Sequence, residues 1–290
     1  MQVTTIRGHE MDVQRATFDA LRARLQGPLL LPDDAGYDES RSVWNAMIDK
    51  RPAAVARCLG SADVVACVEF ARENDILLSI KGGGHNIAGL AVEDGALMLD
   101  LSLMRGVWVD PERRIARAQA GCQLGDVDRE TQLHGLAAVL GFVSETGIAG
   151  LTLGGGFGYL TRRFGWTTDT VKAMDVVTAD GHLVHASRDE HADLFWGLCG
   201  GGGNFGVVTG IEYELFPVGP EIVGGRRRLA GQRSPRGPRA LPHPRREGPT
   251  RAHVGGAGSP GAPSTLVAAG HARQADRGGA GLSHGAARSG

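Results

Sequence analysis

The chain has 290 residues, 42% hydrophobic and 22% charged, ordinary values for a soluble globular protein with material for one large or two ordinary domains. Its formal net charge of −1 hides an asymmetry: residues 226–290 carry 12 Arg and no Lys against Glu247 and Asp276 (+10), and the remainder carries 19 bases against 30 acids (−11). Cys58, Cys67, Cys122 and Cys199 show no Cys-x-x-Cys spacing, no N-terminal apolar run resembles a signal peptide, and no apolar run approaches a membrane span of about 18 residues; these features argue against disulfide staples and membrane insertion and fit a reducing cytoplasm.

Phe18, Leu21 and Leu25 recur at helical spacing and predict an amphipathic helix ended by Gly27-Pro28, part of an N-terminal helix and arm over residues 1–35. Ser42-Val43-Trp44-Asn45 reads equally as a short helix or an extended arm. Ala53 to Arg57 predicts a strand, followed by a helix with Ser61 as its N-cap and a stripe of Val64, Cys67, Val68 and Ala71, flanked by Phe70. The apolar run from Ile76 to Ile80 predicts a buried strand that ends in Lys81-Gly82-Gly83-Gly84-His85-Asn86. Ala96 to Leu99, Gly106 to Val109 and Arg113 to Ala118 read as further strands, the last two joined by the turn Asp110-Pro111-Glu112, and Leu124 to His134 reads as a helix. After a glycine-dense stretch from Gly147 to Gly158, Val171 to Thr178 and His182 to Ala186 predict a hairpin across Asp180-Gly181. A short helix through Leu194 to Leu198, the cluster Gly200 to Gly203 and an alternating strand from Val207 to Leu215 complete the pattern. Strands and helices alternate without a regular βαβ period, so the expected class is α+β and not a doubly wound sheet.

Consecutive glycines after a strand leave the backbone open to a ligand, and their N–H groups can form an anion nest for a pyrophosphate; a surface turn with a solvent-exposed His85 is the plain alternative. Gly201-Gly202-Gly203-Asn204-Phe205-Gly206 matches G-x-G-x-x-G, but a helix precedes it and a strand follows, the reverse of the dinucleotide fingerprint, so that reading is rejected. His182 and His185 fall on opposite faces of a strand and cannot share a metal; with His134 and His191 they read as satisfied or solvated side chains, and no metal site is expected. Three separated glycine clusters suit one extended anionic ligand, the first cluster holding its pyrophosphate.

Five blocks carry a specific resemblance: Lys81 to Gly89, Gly147 to Gly158, Asp175 to Gly181, Asp193 to Trp196 and Gly201 to Thr209. In this order and spacing, residues 36–224 resemble the FAD-linked oxidases of the vanillyl-alcohol oxidase and p-cresol methylhydroxylase (PCMH) superfamily, in the branch with berberine bridge enzyme, hydroxynicotine oxidase and glucooligosaccharide oxidase. The resemblance implies a PCMH-type FAD-binding domain of two α+β subdomains with FAD between them. It implies cofactor contacts from Gly82, Gly83, Gly84, His85, Asn86 and Gly89, from Gly147, Gly150, Gly154, Gly155, Gly156 and Gly158, and from the backbone near Val208. His85 matches the histidine bonded covalently to the flavin 8α-methyl group in many relatives, a role open to a neutral imidazole nucleophile. A second, cysteinyl attachment falls at Val143 here, so one covalent bond at most is expected; Phe157 stands where relatives often carry Tyr, and Cys199 where they often carry Arg, and the latter reads as packing.

The resemblance further implies hydride transfer from a CH–OH or CH–NH group of a small-molecule substrate to the flavin, with dioxygen as the electron acceptor. Glu145 and Tyr159 lie near the relevant segment, but nothing in the sequence aims them at a substrate, and no catalytic base or oligomeric state is assigned. In complete relatives a substrate domain follows; here residues 225–290 replace it. From 226 on they lack Phe, Trp, Tyr, Ile, Met, Asn and Lys, which predicts a disordered basic tail, read as an out-of-frame or otherwise aberrant continuation. Without aromatics or Lys, the tail is not expected to bind nucleic acid or membrane. A truncated, non-catalytic flavin-binding fragment is the alternative to an active enzyme.

Overall fold

The structure, a computed structural model, describes residues 1–220; the predicted tail lies outside the described residues. In chain order its elements are the strands Gln2–Thr4 (β1) and Glu10–Asp12 (β2), the helix Arg15–Arg24 (α1), the strand Leu29–Leu30 (β3), the helix Tyr37–Arg41 (α2), the strand Ala54–Arg57 (β4) and the helix Ser61–Glu73 (α3). Four strands follow, Leu78–Lys81 (β5), Leu97–Asp100 (β6), Val107–Asp110 (β7) and Ile115–Gln119 (β8), then the helix Leu124–Gln132 (α4) and the strand Leu136–Ala137 (β9). The helices Ile148–Leu153 (α5) and Thr161–Phe164 (α6), the hairpin strands Val171–Val177 (β10) and Leu183–Ser187 (β11), the helix Ala192–Gly201 (α7) and the strands Val207–Glu214 (β12) and Phe216–Pro217 (β13) complete it.

Two principal sheets make this an α+β fold. The first has the order β3-β4-β6-β5, in which β4, β6 and β5 run parallel and β3 joins antiparallel at the edge. The second, β11-β10-β12-β8-β7, is antiparallel throughout. Helix α3 touches β6 on one side and β10 and β12 on the other, which explains why its apolar stripe is broad: Val64, Cys67, Val68, Phe70 and Ala71 are all buried. On α1, Phe18 and Leu21 are fully buried, and the Phe18 ring lies 5.6 Å from that of Phe70 on α3. The N-terminal segment is thus part of the first sheet's packing, since β3 pairs with β4 and Leu77 N–H donates to Thr4 O at 2.8 Å.

The Asp180-Gly181 hairpin forms as expected, with Gly181 at φ +87° in its turn. Two local expectations change. The segment after α2 is irregular, and its short helix falls earlier, at Tyr37–Arg41, because Tyr37 is the residue with a core site to fill and a buried partner, donating to Pro52 O at 2.6 Å. Ser61 is the first helical residue of α3 and not its cap; Gly60 holds that position with no side-chain bond. Asp63 instead ties the helix start to its surroundings by accepting the N–H groups of Gln26 (2.8 Å), Gly27 (3.1 Å) and Leu59 (2.9 Å).

Candidate functional site

Strands β4, β6 and β5 end side by side at Arg57, Asp100 and Lys81. Asp100 is buried and accepts from Arg57 Nε at 3.1 Å and from Ser102 N–H at 3.1 Å. Lys81 is held by Ser40 O at 2.6 Å; burial pushes its pKa down, and Asp100 acts in the opposite sense. The chain then leaves the sheet as the 82–88 loop.

From Gly82 through Ala88 no backbone N–H has a protein acceptor among the described residues. Buried N–H groups are nearly always paired in folded chains, and here Gly84 is buried while Gly82, Gly83 and His85 are half-buried. Gly84 adopts φ +70°, the left-handed conformation that favours glycine. Asn86 closes the turn itself, its carbonyl accepting Gly89 N–H at 3.1 Å and its Oδ1 accepting Leu90 N–H at 3.1 Å. A run of consecutive free donors is what an anion nest requires.

His85 differs from its neighbours in type. The ring nitrogens of His182 and His185 meet Asp180 Oδ2 at 2.8 Å and Asp175 Oδ1 at 2.9 Å, and that of His191 meets His185 O at 2.9 Å. Among the described residues, neither nitrogen of His85 has a hydrogen-bond partner. Its ring instead stacks on Trp44, centroids 5.8 Å apart and planes 19° apart.

The second glycine segment meets the first backbone to backbone. A Cβ on Gly83 would lie 2.6 Å from Gly147 Cα, and Gly82 faces the Ala149 side chain. Ile148 N–H donates to Cys122 O at 3.0 Å, which pins this segment to the start of α4. The glycines sort into two kinds. At Gly83, Gly147, Gly156 and Gly158 the side-chain space is filled by neighbouring protein, Thr167 against Gly156 and Leu140 O against Gly158; at Gly89 it is filled by Ile48. At Gly150 and Gly155 no heavy atom lies within 4 Å, at Gly82 and Gly84 the nearest neighbours stand at 3.5 and 3.7 Å, and Gly154 sits 3.3 Å from Gly150 O. Within the first two glycine segments, room for a ligand is therefore concentrated at Gly82, Gly84, Gly150 and Gly155.

The third cluster divides in the same way: Gly197 and Gly201 make space for the Phe205 ring, whereas Gly200 and Gly203 have no heavy atom within 4 Å, and Gly202 N–H donates to Leu153 O at 3.0 Å, tying α7 to α5. Val208 is buried opposite Val176, one step past Thr209 and Gly210, where β8 still pairs with β12. Beside the second glycine segment, Phe142 contacts Phe157 and Tyr159 edge to face, and Phe157 meets Trp166 in the same way; all four rings are partly exposed. Val143 and Glu145 are exposed in the same stretch. An open depression of about 440 Å³ on the second sheet lies elsewhere, lined by Trp108, Arg117, Asp175 and Gly210; its carboxylate is taken up by Arg117 and His185.

Trp44 and Asn45 belong to the site and carry no motif of their own. An exposed Trp-Asn pair in a polar stretch was the available signal, but its partners lie about 40 residues away in sequence, and only folding brings them together.

Free donors, glycines open on one side, an imidazole with both nitrogens available and exposed aromatic rings fit a large ligand that is anionic at one end and aromatic at the other. These features, on an α+β frame of one mixed and one antiparallel sheet, define a PCMH-type flavin-binding domain. Residues 52–187 match the family model described as "FAD binding domain". The homologues of this domain are hydroxynicotine oxidase and the berberine-bridge-enzyme-like carbohydrate oxidases of the vanillyl-alcohol oxidase and p-cresol methylhydroxylase superfamily. It is 39% identical to (R)-6-hydroxynicotine oxidase of Paenarthrobacter nicotinovorans over 201 residues, 69% of this chain and 44% of that one. The crystal structure of 6-hydroxy-D-nicotine oxidase from Arthrobacter nicotinovorans matches with a TM-score of 0.65 at 40% identity, covering 67% of this chain and 43% of the other. The glucooligosaccharide oxidase of Acremonium strictum, whose structure is described as carrying 6-S-cysteinyl, 8α-N1-histidyl FAD, matches with a TM-score of 0.66 at 35% identity over 70% of this chain and 43% of its own. The chain thus spans less than half the length of the relatives it matches.

Proposed function

We propose that residues 36–224 form the cofactor domain of an FAD-dependent oxidoreductase. The observation that carries this reading is the row of unpartnered N–H groups from Gly82 to Ala88 with the free imidazole of His85 inside it. In this reading the backbone donors of Gly82, Gly83, Gly84 and Asn86 hold the pyrophosphate, and Gly89 shapes the loop behind them. Gly150, Gly154 and Gly155 leave room for the flavin, Gly147, Gly156 and Gly158 fix the backbone around it, and the chain at Val208 closes the far side. Bound FAD supplies an electron-poor ring that takes a hydride from a C–H bond beside an alcohol oxygen or amine nitrogen and passes two electrons to dioxygen. His85 is the residue for a single covalent attachment, with Val143 in place of a second one.

The substrate is a small molecule, and dioxygen is the acceptor. Four unpaired thiols agree with a reducing, cytoplasmic setting. No helix among the described residues is long and apolar enough to cross a membrane. The purified full chain tests the reading directly: yellow protein that retains FAD through gel filtration supports it, and colourless protein that takes up no added FAD refutes it.

One observation favours a second reading. The features placed by the described residues are those of a cofactor cradle, and none of them assigns a substrate contact, which is also what a non-catalytic flavin-binding fragment would show. Hydrogen peroxide release on a panel of alcohols and amines separates the two: turnover supports the enzyme, and bound flavin with no turnover supports the fragment.

A further inference from the structure

We propose that Trp44 is the positioning residue for His85: its ring sets the plane of the imidazole, and its backbone holds the loop that carries it. The inference rests on the reading of residues 82–86 as the cofactor cradle. The loop is strapped along its length by one segment, residues 40–48. Ser40 O accepts Lys81 Nζ at 2.6 Å, Trp44 N–H donates to Gly84 O at 3.0 Å, Asn45 Nδ2 donates to Ile87 O at 2.9 Å, and Ile48 fills the space under Gly89. Trp44 acts twice, through its backbone on Gly84 and through its ring on the next residue, His85.

Core packing does not explain the indole, which is 65% exposed. Nor does a hydrogen bond orient the imidazole among the described residues, so the near-parallel stack is what fixes the ring plane. Attachment of His85 joins a ring nitrogen to the flavin 8α carbon: one N–H and one C–H bond break, one N–C bond forms, and two electrons and two protons leave to dioxygen as hydrogen peroxide. Bond formation of this kind depends steeply on alignment, a displacement of about 1 Å costing roughly 100-fold. A ring free to turn about its side-chain torsions loses that alignment while the pyrophosphate cradle, built from backbone, stays intact.

The test uses the full chain made free of flavin, then supplied with FAD in air. The time course of acid-stable flavin is followed beside total bound FAD in wild type, Trp44→Phe, Trp44→Leu and Trp44→Ala. Attachment about tenfold slower in the Leu and Ala variants, with total FAD unchanged and the Phe variant restored, is expected because only Phe keeps a stacking face. Equal rates in all four overturn the proposal, as does a Leu variant as fast as wild type. Should wild type bind FAD without attaching it, the covalent reading fails, and the positioning role is judged separately by the His85 ring-proton resonances in isotope-labelled protein. Loss of their ring-current shift in Trp44→Leu supports positioning, and unchanged resonances overturn it.

Discussion

Gly83 and Gly147 exclude each other's side chains: a Cβ on either would lie 2.6 to 2.7 Å from the Cα of the other. The two glycine segments, far apart in sequence, are therefore locked together by mutual absence of side chains. Alanine at either position is expected to destabilise the chain by about 1–3 kcal/mol through overpacking. For a domain of this size that lowers the melting temperature by roughly 2–4 °C per kcal/mol. A melt unchanged by Gly83→Ala would show that the two segments do not touch.

Gly150 is the opposite case, a glycine within α5 with no atom within 4 Å of its side-chain position. Gly150→Ala is expected to stabilise the FAD-free chain by up to about 1 kcal/mol, the ordinary helix gain. FAD affinity is expected to fall in the same variant, because the methyl group occupies the space left for the ligand. Titration of the apoprotein with FAD reads this; wild-type affinity would place the cofactor elsewhere.

For wild type, a denaturing gel viewed for flavin fluorescence after acid treatment is expected to show a glowing band, and His85→Ala is expected to lack it. Val143→Cys creates the position of the second attachment and should leave that band in place. A band in His85→Ala equal to wild type would move the covalent link to another residue.

Asp63 is buried at the start of α3 and satisfies three backbone N–H groups from two other segments. Asp63→Ala removes the acceptor of all three, but only the Gly27 bond is fully buried, so the expected cost is about 1–3 kcal/mol, the penalty of one buried orphan. Urea unfolding measures it; a loss below about 1 kcal/mol would mean that water replaces the carboxylate.

Burial pushes the Cys122 thiol from its ordinary 9.0 up to about 12, and its Sγ also donates to Gly106 O at 3.5 Å. Above pH 9 the unfolded chain releases this proton while the folded chain keeps it. The thiol's contribution to stability is therefore full below pH 9 and declines as pH rises toward 12, by about 1.4 kcal/mol per pH unit between the two values. Urea midpoints from pH 8 to pH 11 should fall less steeply in Cys122→Ala than in wild type; parallel slopes would contradict the assignment.

Much of the frame was legible because it rests on periodicity. Val64, Cys67, Val68 and Ala71 mark α3 at helical spacing, and the Asp180-Gly181 turn marks the β10–β11 hairpin, since these patterns follow from local geometry. Asp63 was not legible, because a carboxylate near a helix start looks the same whether it caps its own helix or accepts donors from residues 26 and 27.

The sequence by itself determined the α+β class, the loop that carries His85 and the order of the glycine-rich segments, because each depends on residue type and short spacing. Only the tertiary structure decided which glycines face open space and which face another backbone, since that depends on what lies opposite. It likewise brought Trp44 onto His85. A stacking partner about 40 residues away leaves no periodic trace, and the free imidazole at the Lys81 to Asn86 loop gains a defined ring plane only when the 40–48 strap folds over it.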